Sequence, residues 1–365
     1  VSSFQENPDG NAVVYCEGAY KTPNGKTAHG LVRFTRRYRV AAVVDSTAAG
    51  EDAGEILGGH PIGLPIAPDL TEALAFARER DLPATHFVIG LAPDGGRLPE
   101  RARLDVMDAL GRGLHVDSGL HDYLSDDPEL SALARAVGCR IRDVRKPPPI
   151  RDLHFFSGKI EEVKALRIAV LGTDSAIGKR TTTAIATNAL AERGVSSIMI
   201  GTGQTAWMQG VRYGIVLDSL VNDFVSGEIE HVVHRAWVEE RPGVILIEGQ
   251  GSLLNPAYPG GFEILAATRP HGIVLQHAPA REEYDGFPGF PMHPLTTQIQ
   301  ALELISGKPV VAIAVNHQNV PSERLDALCR EIAAQTGLPT TDVLVHGPGA
   351  LVDAILELEK RIAPR

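Results

Sequence analysis

The run Gly172-Thr173-Asp174-Ser175-Ala176-Ile177-Gly178-Lys179-Arg180-Thr181 carries the strongest chemical signal in the sequence. It follows the apolar stretch 166–172 and precedes a helical pattern over 179–192, so it reads as a strand-to-helix loop. Glycine lets such a loop turn tightly, and successive backbone N–H groups then converge on one anion. The helix that follows adds the positive end of its dipole. Lys179 supplies a point charge for terminal phosphates, and a hydroxyl just beyond it can hold Mg²⁺. The pattern departs from G-x4-G-K-[ST]. Thr173 stands where the first glycine usually lies, Arg180 replaces the metal-binding hydroxyl, and Thr181 comes one position late. Phosphate binding is therefore the firmer expectation, with Thr181 and Glu248 the candidate Mg²⁺ ligands. The bland alternative is a glycine-rich turn with an exposed lysine.

Glu248 closes the apolar run Val244-Ile245-Leu246-Ile247-Glu248 and is followed by Gly249-Gln250-Gly251. In a parallel sheet ligands gather at the carboxyl ends of strands, where an acid facing a phosphate loop can hold a metal or orient water. Lys179, Asp174 and Glu248 make up the expected catalytic set. Gly201-Thr202-Gly203-Gln204-Thr205 follows another strand, and its hydroxyls and amide suit a carboxylate or amide substrate. Gln204, Thr205, Arg212 and Asp218 are the candidate substrate ligands there, although Asp218-Ser219 equally suits a helix cap. The strand-end loop Val116–His121 contributes Ser118 and His121 to the same list, on the expectation that it faces the second half of the chain. His277 also ends a strand, and a lone histidine there is more often structural. In the first half, Gly25-Lys26-Thr27 lacks a glycine at phosphate-loop spacing and reads as a helix start. Asp45 ends the stretch 39–45 as a ribose-binding acid would, but no G-x-G-x-x-G precedes it.

These groups need elements to hold them. Strands are predicted over 13–16, 39–45, 85–91, 114–117 and 139–144, then over 166–172, 197–201, 243–248, 272–277, 309–315 and 341–346. Helices are predicted over 69–80, 127–137, 179–192, 217–237 and 350–361. Asp127-Pro128 is an N-cap followed by proline at the first helical position. Strands alternating with helices imply parallel sheets covered on both faces. Lys146-Pro147-Pro148-Pro149 is a stiff connection, which divides the chain into 1–150 and 151–365. The expected fold class is α/β, a Rossmann-like parallel-sheet domain followed by a P-loop NTPase-like one.

Composition bounds the partners. The 365 residues carry 45 acids against 35 bases, a net charge of −10, which argues against a nucleic-acid partner because holding phosphates needs basic stripes. Cys16, Cys139 and Cys329 are dispersed and form no disulfide framework, as suits a reducing compartment. No apolar run is long enough to span a membrane, and the polar opening lacks a signal-peptide layout. A cytoplasmic, homo-oligomeric protein acting on a small molecule is the resulting expectation.

The loop resembles those of dethiobiotin synthetase and the cobyrinic acid amidases, which carry a G-T-x-[S/T]-x-x-G-K signature. That resemblance implies ATP and Mg²⁺ on the loop, with Asn316 reading the base. Beyond the loop, KTAHGLVRF, VVDSTAAG, DSGLHDYLSDDPEL, DVRKPP, LGTDSAIGKRTT, GTGQTAWMQG and IEGQGSLLNPAY resemble a two-domain family of unknown function. It joins a Rossmann-like amino-terminal domain to a dethiobiotin-synthetase-like P-loop domain. The family includes a D-glutamate N-acetyltransferase that uses acetyl-CoA. Residues 281–297 depart from that enzyme and look like a different branch. The resemblance implies an N-acyltransferase of an amino acid, with the phosphates of acetyl-CoA on residues 172–181. The loop taken alone favours an ATP/Mg²⁺-dependent ligase or kinase activating a carboxylate, and a nucleotide-binding regulator without chemistry is the third reading.

Overall fold

A computed structural model describes residues 2–362, which form two parallel sheets. The first contains β1 (Gly10–Tyr15), β2 (Tyr38–Val44), β3 (Ile66–Ala67), β4 (His86–Ile89), β5 (His115–Ser118) and β6 (Ile141–Asp143). Its order is β3-β2-β1-β4-β5-β6, the doubly wound arrangement in which order reverses beside the first strand. The second contains β7 (Leu166–Gly172), β8 (Ser197–Gly201), β9 (Tyr213–Gly214), β10 (Val244–Glu248), β11 (Gly272–His277), β12 (Val310–Val315) and β13 (Thr340–Thr341). Its order is β13-β12-β11-β7-β10-β8-β9, so the phosphate-loop strand β7 sits between β11 and β10. Every strand pair is parallel. The α/β class and the two-sheet architecture are those expected.

Burial follows the two-residue period of a strand. In β7, Ala169 and Leu171 join one apolar layer while Leu166, Ile168 and Val170 join the other. The first layer is covered by helices Asn222–Glu240, Phe262–Thr268, Leu295–Ser306 and Ser322–Thr336, the second by Lys179–Glu192 and Gly349–Ile362. Asp127 caps the helix Pro128–Val137 as its position implied, accepting the N–H groups of Glu129 and Leu130.

Three local expectations are corrected. The stretch 341–346 is strand only at Thr340–Thr341. The Asp342 carboxylate accepts the N–H groups of Leu344 and Val345, and this side-chain turn replaces the ladder. The long helix begins at Asn222, after a short 3-10 turn at Leu217–Ser219. Residues Gln204–Met208 are a short helix and not a loop.

The two sheets are interlocked rather than merely linked. Residues near the start of the chain run along the second sheet, where the Ser3 hydroxyl accepts the Met199 N–H at 3.0 Å and Phe4 packs with Met199, Ala206 and Val211. In return, the segment after β8 packs on the first sheet. Trp207 is sandwiched between the guanidinium groups of Arg37 and Arg142, 3.7 and 4.4 Å from its ring centre. Gln209 donates to the carbonyls of Gly30 and Phe34 at 2.8 and 2.9 Å. These contacts set the helix Lys26–Arg33 against the short helix Gln204–Met208, with Nη2 of Arg180 beside Gly30.

Candidate active site at the phosphate loop and the domain junction

The loop after β7 is shaped by what its glycines exclude. A Cβ at Gly172 would lie 2.9 Å from Cδ of Lys179 and 3.0 Å from the Asp174 carbonyl oxygen, so the lysine stem curls over bare backbone. Gly178 takes φ +102° immediately before the helix, a conformation that L side chains rarely adopt. The Lys179 ammonium is buried and donates to the carbonyls of Asp174 at 2.6 Å and Gly251 at 2.8 Å. Burial is the largest influence on it and draws its pKa down to about 8, against the opposing pull of Asp174, Glu248 and Asp285.

Asp174 is engaged through both carboxylate oxygens. Its carboxylate accepts Nδ2 of Asn255 at 2.6 Å, Nη1 of Arg281 at 2.7 Å and the Asp285 N–H at 3.0 Å, and the residue is fully buried. Asp285 in turn accepts the Ser175 hydroxyl at 2.6 Å, and Arg281 also donates to the Ser175 carbonyl. The segment beginning at Arg281 is thus strapped across the loop. The geometry makes Asp174 a positioning residue. Further around the loop, Asn316 donates to the Ile177 carbonyl at 2.8 Å, and Thr173 Oγ1 lies 3.1 Å from Nδ1 of His277. Burial lowers the His277 pKa to about 4, which keeps that ring neutral.

Glu248 ends β10 beside this loop. It is 5% exposed, and its Oε2 accepts the Thr202 N–H at 3.0 Å while, among the described residues, Oε1 has no hydrogen bond. Burial pushes its carboxyl pKa up, opposed chiefly by Arg180 and then by the Thr202 N–H and Lys179. Arg180 is the counterpart. It forms no ion pair among the described residues, and its Nε is buried without a partner. Thr181 is half-buried in the next position, and no group of three or more His, Cys, Asp or Glu side chains among the described residues forms a metal site.

The other candidates separate into two groups. Gln204 is buried at the domain junction, donating to the hydroxyls of Thr27 and Thr205 at 2.8 Å each, while its Oε1 is buried and unpartnered. Gly119 packs against that amide, so the strand-end loop carrying Ser118 reaches the same junction, where the buried Ser118 hydroxyl accepts the Leu120 N–H. His121 is exposed against Gly96. Arg212 is carried to the edge of the second sheet beside β9, where it pairs with Glu240 at 2.6 Å. Asp218 pairs with Arg145 at 2.8 Å and so helps tie the domains, because Arg145 also donates to the Gly119 carbonyl. Asp45 is consumed locally, accepting the N–H groups of Gly18, Tyr20 and Thr47 and the Thr47 hydroxyl. It has nothing left for a ribose.

Sequence reasoning missed the part played by Thr27 and Gly30. Lys26-Thr27 does start a helix, Lys26–Arg33, but its role lies on the far side of the junction. A Cβ at Gly30 would sit 2.9 Å from Cγ2 of Thr205 and 3.0 Å from Nη2 of Arg180. The available signal was a glycine within an otherwise regular helix, which marks a close approach.

Residues 46–147 match the Rossmann-like domain of unknown function DUF1611_N, and residues 154–352 match the P-loop domain DUF1611_C. A protein from Tritonibacter scottomollicae named D-glutamate N-acetyltransferase is 32% identical over 282 residues, 74% of this chain and 81% of that one. A protein of the same name from a Pseudoalteromonas species is 30% identical over 277 residues, with the same coverage of each chain. The crystal structure of a DUF1611 family protein from Anabaena variabilis superposes with a TM-score of 0.87 at 31% identity, covering 96% of this chain and all of that one.

Proposed function

The chain belongs to the DUF1611 family, and from that premise we propose that it is an N-acyltransferase, moving an acetyl group from acetyl-CoA to the amino group of a small acidic amino acid of the D-glutamate type. The observation that carries this reading is the pair of relatives named for that activity. An alignment of 282 residues exceeds the 199 matched by the P-loop domain, so the likeness reaches into both domains.

The residues present fit such a ligand pair. The loop amides before Lys179 and its ammonium suit the phosphates of CoA, and on binding the ammonium exchanges the carbonyls of Asp174 and Gly251 for phosphate oxygens. Mg²⁺ fits less well, since Arg180 stands in place of the metal-binding hydroxyl and, among the described residues, no group of three or more His, Cys, Asp or Glu side chains could hold a metal. Acetyl-CoA supplies a thioester carbonyl carbon, where the C–N bond forms as the C–S bond breaks. The acceptor arrives as an ammonium and must lose a proton to attack. Glu248, buried with one free oxygen and a raised pKa, takes that proton, and the departing thiolate carries one away.

One observation favours a second reading. Lys179 on its loop and an acid at the end of the neighbouring strand β10 also suit Mg²⁺-ATP, as in a carboxylate-activating ligase. The test is acetyl-CoA with D-glutamate in excess EDTA, with product followed by mass spectrometry. N-acetylglutamate formed without ATP is expected. A strict need for ATP and Mg²⁺ makes the ligase reading the correct one, and no product under either condition leaves a nucleotide-binding regulator.

A further inference from the structure

Arg180 and Glu248 are opposite charges brought to one junction: Nη2 of Arg180 lies against Gly30, which Thr205 also packs on, and Glu248 accepts the N–H of Thr202, three residues before Thr205; among the described residues the two do not pair. Among the described residues Arg180 has no ion pair and no hydrogen bond, and its Nε is buried. Glu248 is buried with Oε2 on the Thr202 N–H and Oε1 free. The buried Arg180 Nε has given up hydration without gaining a partner, and the Glu248 carboxylate keeps one oxygen for a further bond, so a ligand complementary to both is favoured there. What satisfies both at once carries a negative and a positive group, as an amino-acid zwitterion does.

The surroundings fit the same ligand. Arg180 reaches away from the phosphate-loop backbone toward Gly30 on the helix of the other domain. Neutral hydrogen-bonding groups, Thr27, Thr205 and Gln204, line that junction, and Gln204 is 6% exposed with Oε1 unpartnered. A phosphate would meet Glu248 as a like charge, whereas an ammonium is welcomed by it. Arg33, exposed at the end of the same helix and near enough to act on Arg180, adds positive potential at the rim.

We propose that the domain junction is an α-amino-acid site in which Arg180 receives the carboxylate, Glu248 receives the ammonium, Gln204 and Thr27 flank them, and Arg33 attracts a second, side-chain carboxylate. The site deepens the acyltransferase reading and rests on it for the reaction, but not for binding. It gives the Rossmann-like domain a role, since its Thr27 and Gly30 meet Gln204 and Arg180 of the P-loop domain. It also places the ammonium on the residue that removes its proton. Paired hydrogen bonds from a guanidinium to a carboxylate set orientation as well as affinity, so the site selects α-amino acids over amines.

Calorimetric titration of the full chain with D-glutamate, CoA being present, tests the site without turnover. Wild-type protein is expected to bind D-glutamate. Arg180→Met should weaken that binding by about tenfold or more, with an unchanged circular-dichroism spectrum as proof of folding. Arg180→Lys should recover part of it. Glu248→Gln should weaken D-glutamate but not glutarate, which lacks the ammonium. Arg33→Gln should weaken D-glutamate but not D-alanine. Unchanged D-glutamate affinity in Arg180→Met, a loss confined to CoA, or no amino-acid binding by wild type each overturns the proposal. Zwitterion binding without acetyl transfer leaves this site standing and removes the acyltransferase reading. Acetyl transfer with an acceptor KM indifferent to Arg180 does the reverse.

Discussion

Arg281 sets its Nη1 2.7 Å from Oδ2 of Asp174, tying a segment beyond β11 to a fully buried carboxylate inside the phosphate loop. Breaking a buried pair from one side leaves an uncompensated charge, which costs about 3 kcal/mol. Arg281→Met should therefore lower stability by about that amount in urea unfolding and loosen the loop for phosphate ligands. A loss below about 1 kcal/mol would show that Asn255 and the Asp285 N–H hold Asp174 unaided.

Lys179 links phosphate binding to pH. Its pKa of about 8 lies below the ordinary 10.5, so near pH 9 the free protein holds it mostly neutral. A bound phosphate favours the charged form, and binding at that pH should take up close to one proton. Calorimetry of CoA binding in buffers of different ionisation enthalpy should detect the uptake, and Lys179→Met should abolish it while weakening binding about tenfold or more. In the ligand-free protein the sign follows from the same shift. Between about pH 8 and 10.5 the unfolded chain binds more protons, so this residue's contribution to stability rises with pH in that window.

Glu248→Gln should reduce kcat by about 10²-fold or more if its carboxylate removes the acceptor's proton. Because burial raises the Glu248 pKa, wild-type kcat should fall on the acid side as the carboxyl protonates, and the variant should lose that limb. A residual activity with the same acid limb assigns the proton to another group.

Arg212→Ala should leave the kinetics of both substrates close to wild type. Its partner is Glu240 and its guanidinium lies 5.3 Å from the Tyr213 ring centre, at the sheet edge, so the change in stability should stay within about 1 kcal/mol. A large rise in KM for the amino acid would relocate the pocket to that edge.

Gly227→Val should detach the connection between the domains. A Cβ at that helical position would lie 2.1 Å from the His154 carbonyl oxygen, and backbone cannot yield as a flexible side chain can. Limited proteolysis should then cut within 147–160 faster than in wild type. Equal cutting rates would mean that the bonds of His154 to Glu228 and of Ser157 to Glu230 hold the segment by themselves.

Residues whose meaning is local were legible in the chain. Apolar runs such as 166–172 and 272–277 announce strands buried on both faces, because hydrogen-bonded backbone between two helical layers needs apolar side chains on each side. Gly172, Gly178 and Lys179 announce an anion loop, because glycine conformation and a following helix start are decided within a few residues. Asp127-Pro128 announced its helix for the same reason. Groups whose meaning depends on distant partners were not legible. Asp174 looks like a catalytic acid until Asn255, Arg281 and Asp285 arrive from 81, 107 and 111 residues away and use up its carboxylate. Arg212, a reasonable carboxylate ligand by its position after β8, is carried by the sheet edge to Glu240. Asp342 ended a predicted strand by capturing two backbone amides. The junction itself arises only when Gly30 lets one domain's helix close on Arg180 from the other, and no spacing along the chain records that approach. Periodicity encodes which face is buried, but which charges meet across it is settled by long-range packing.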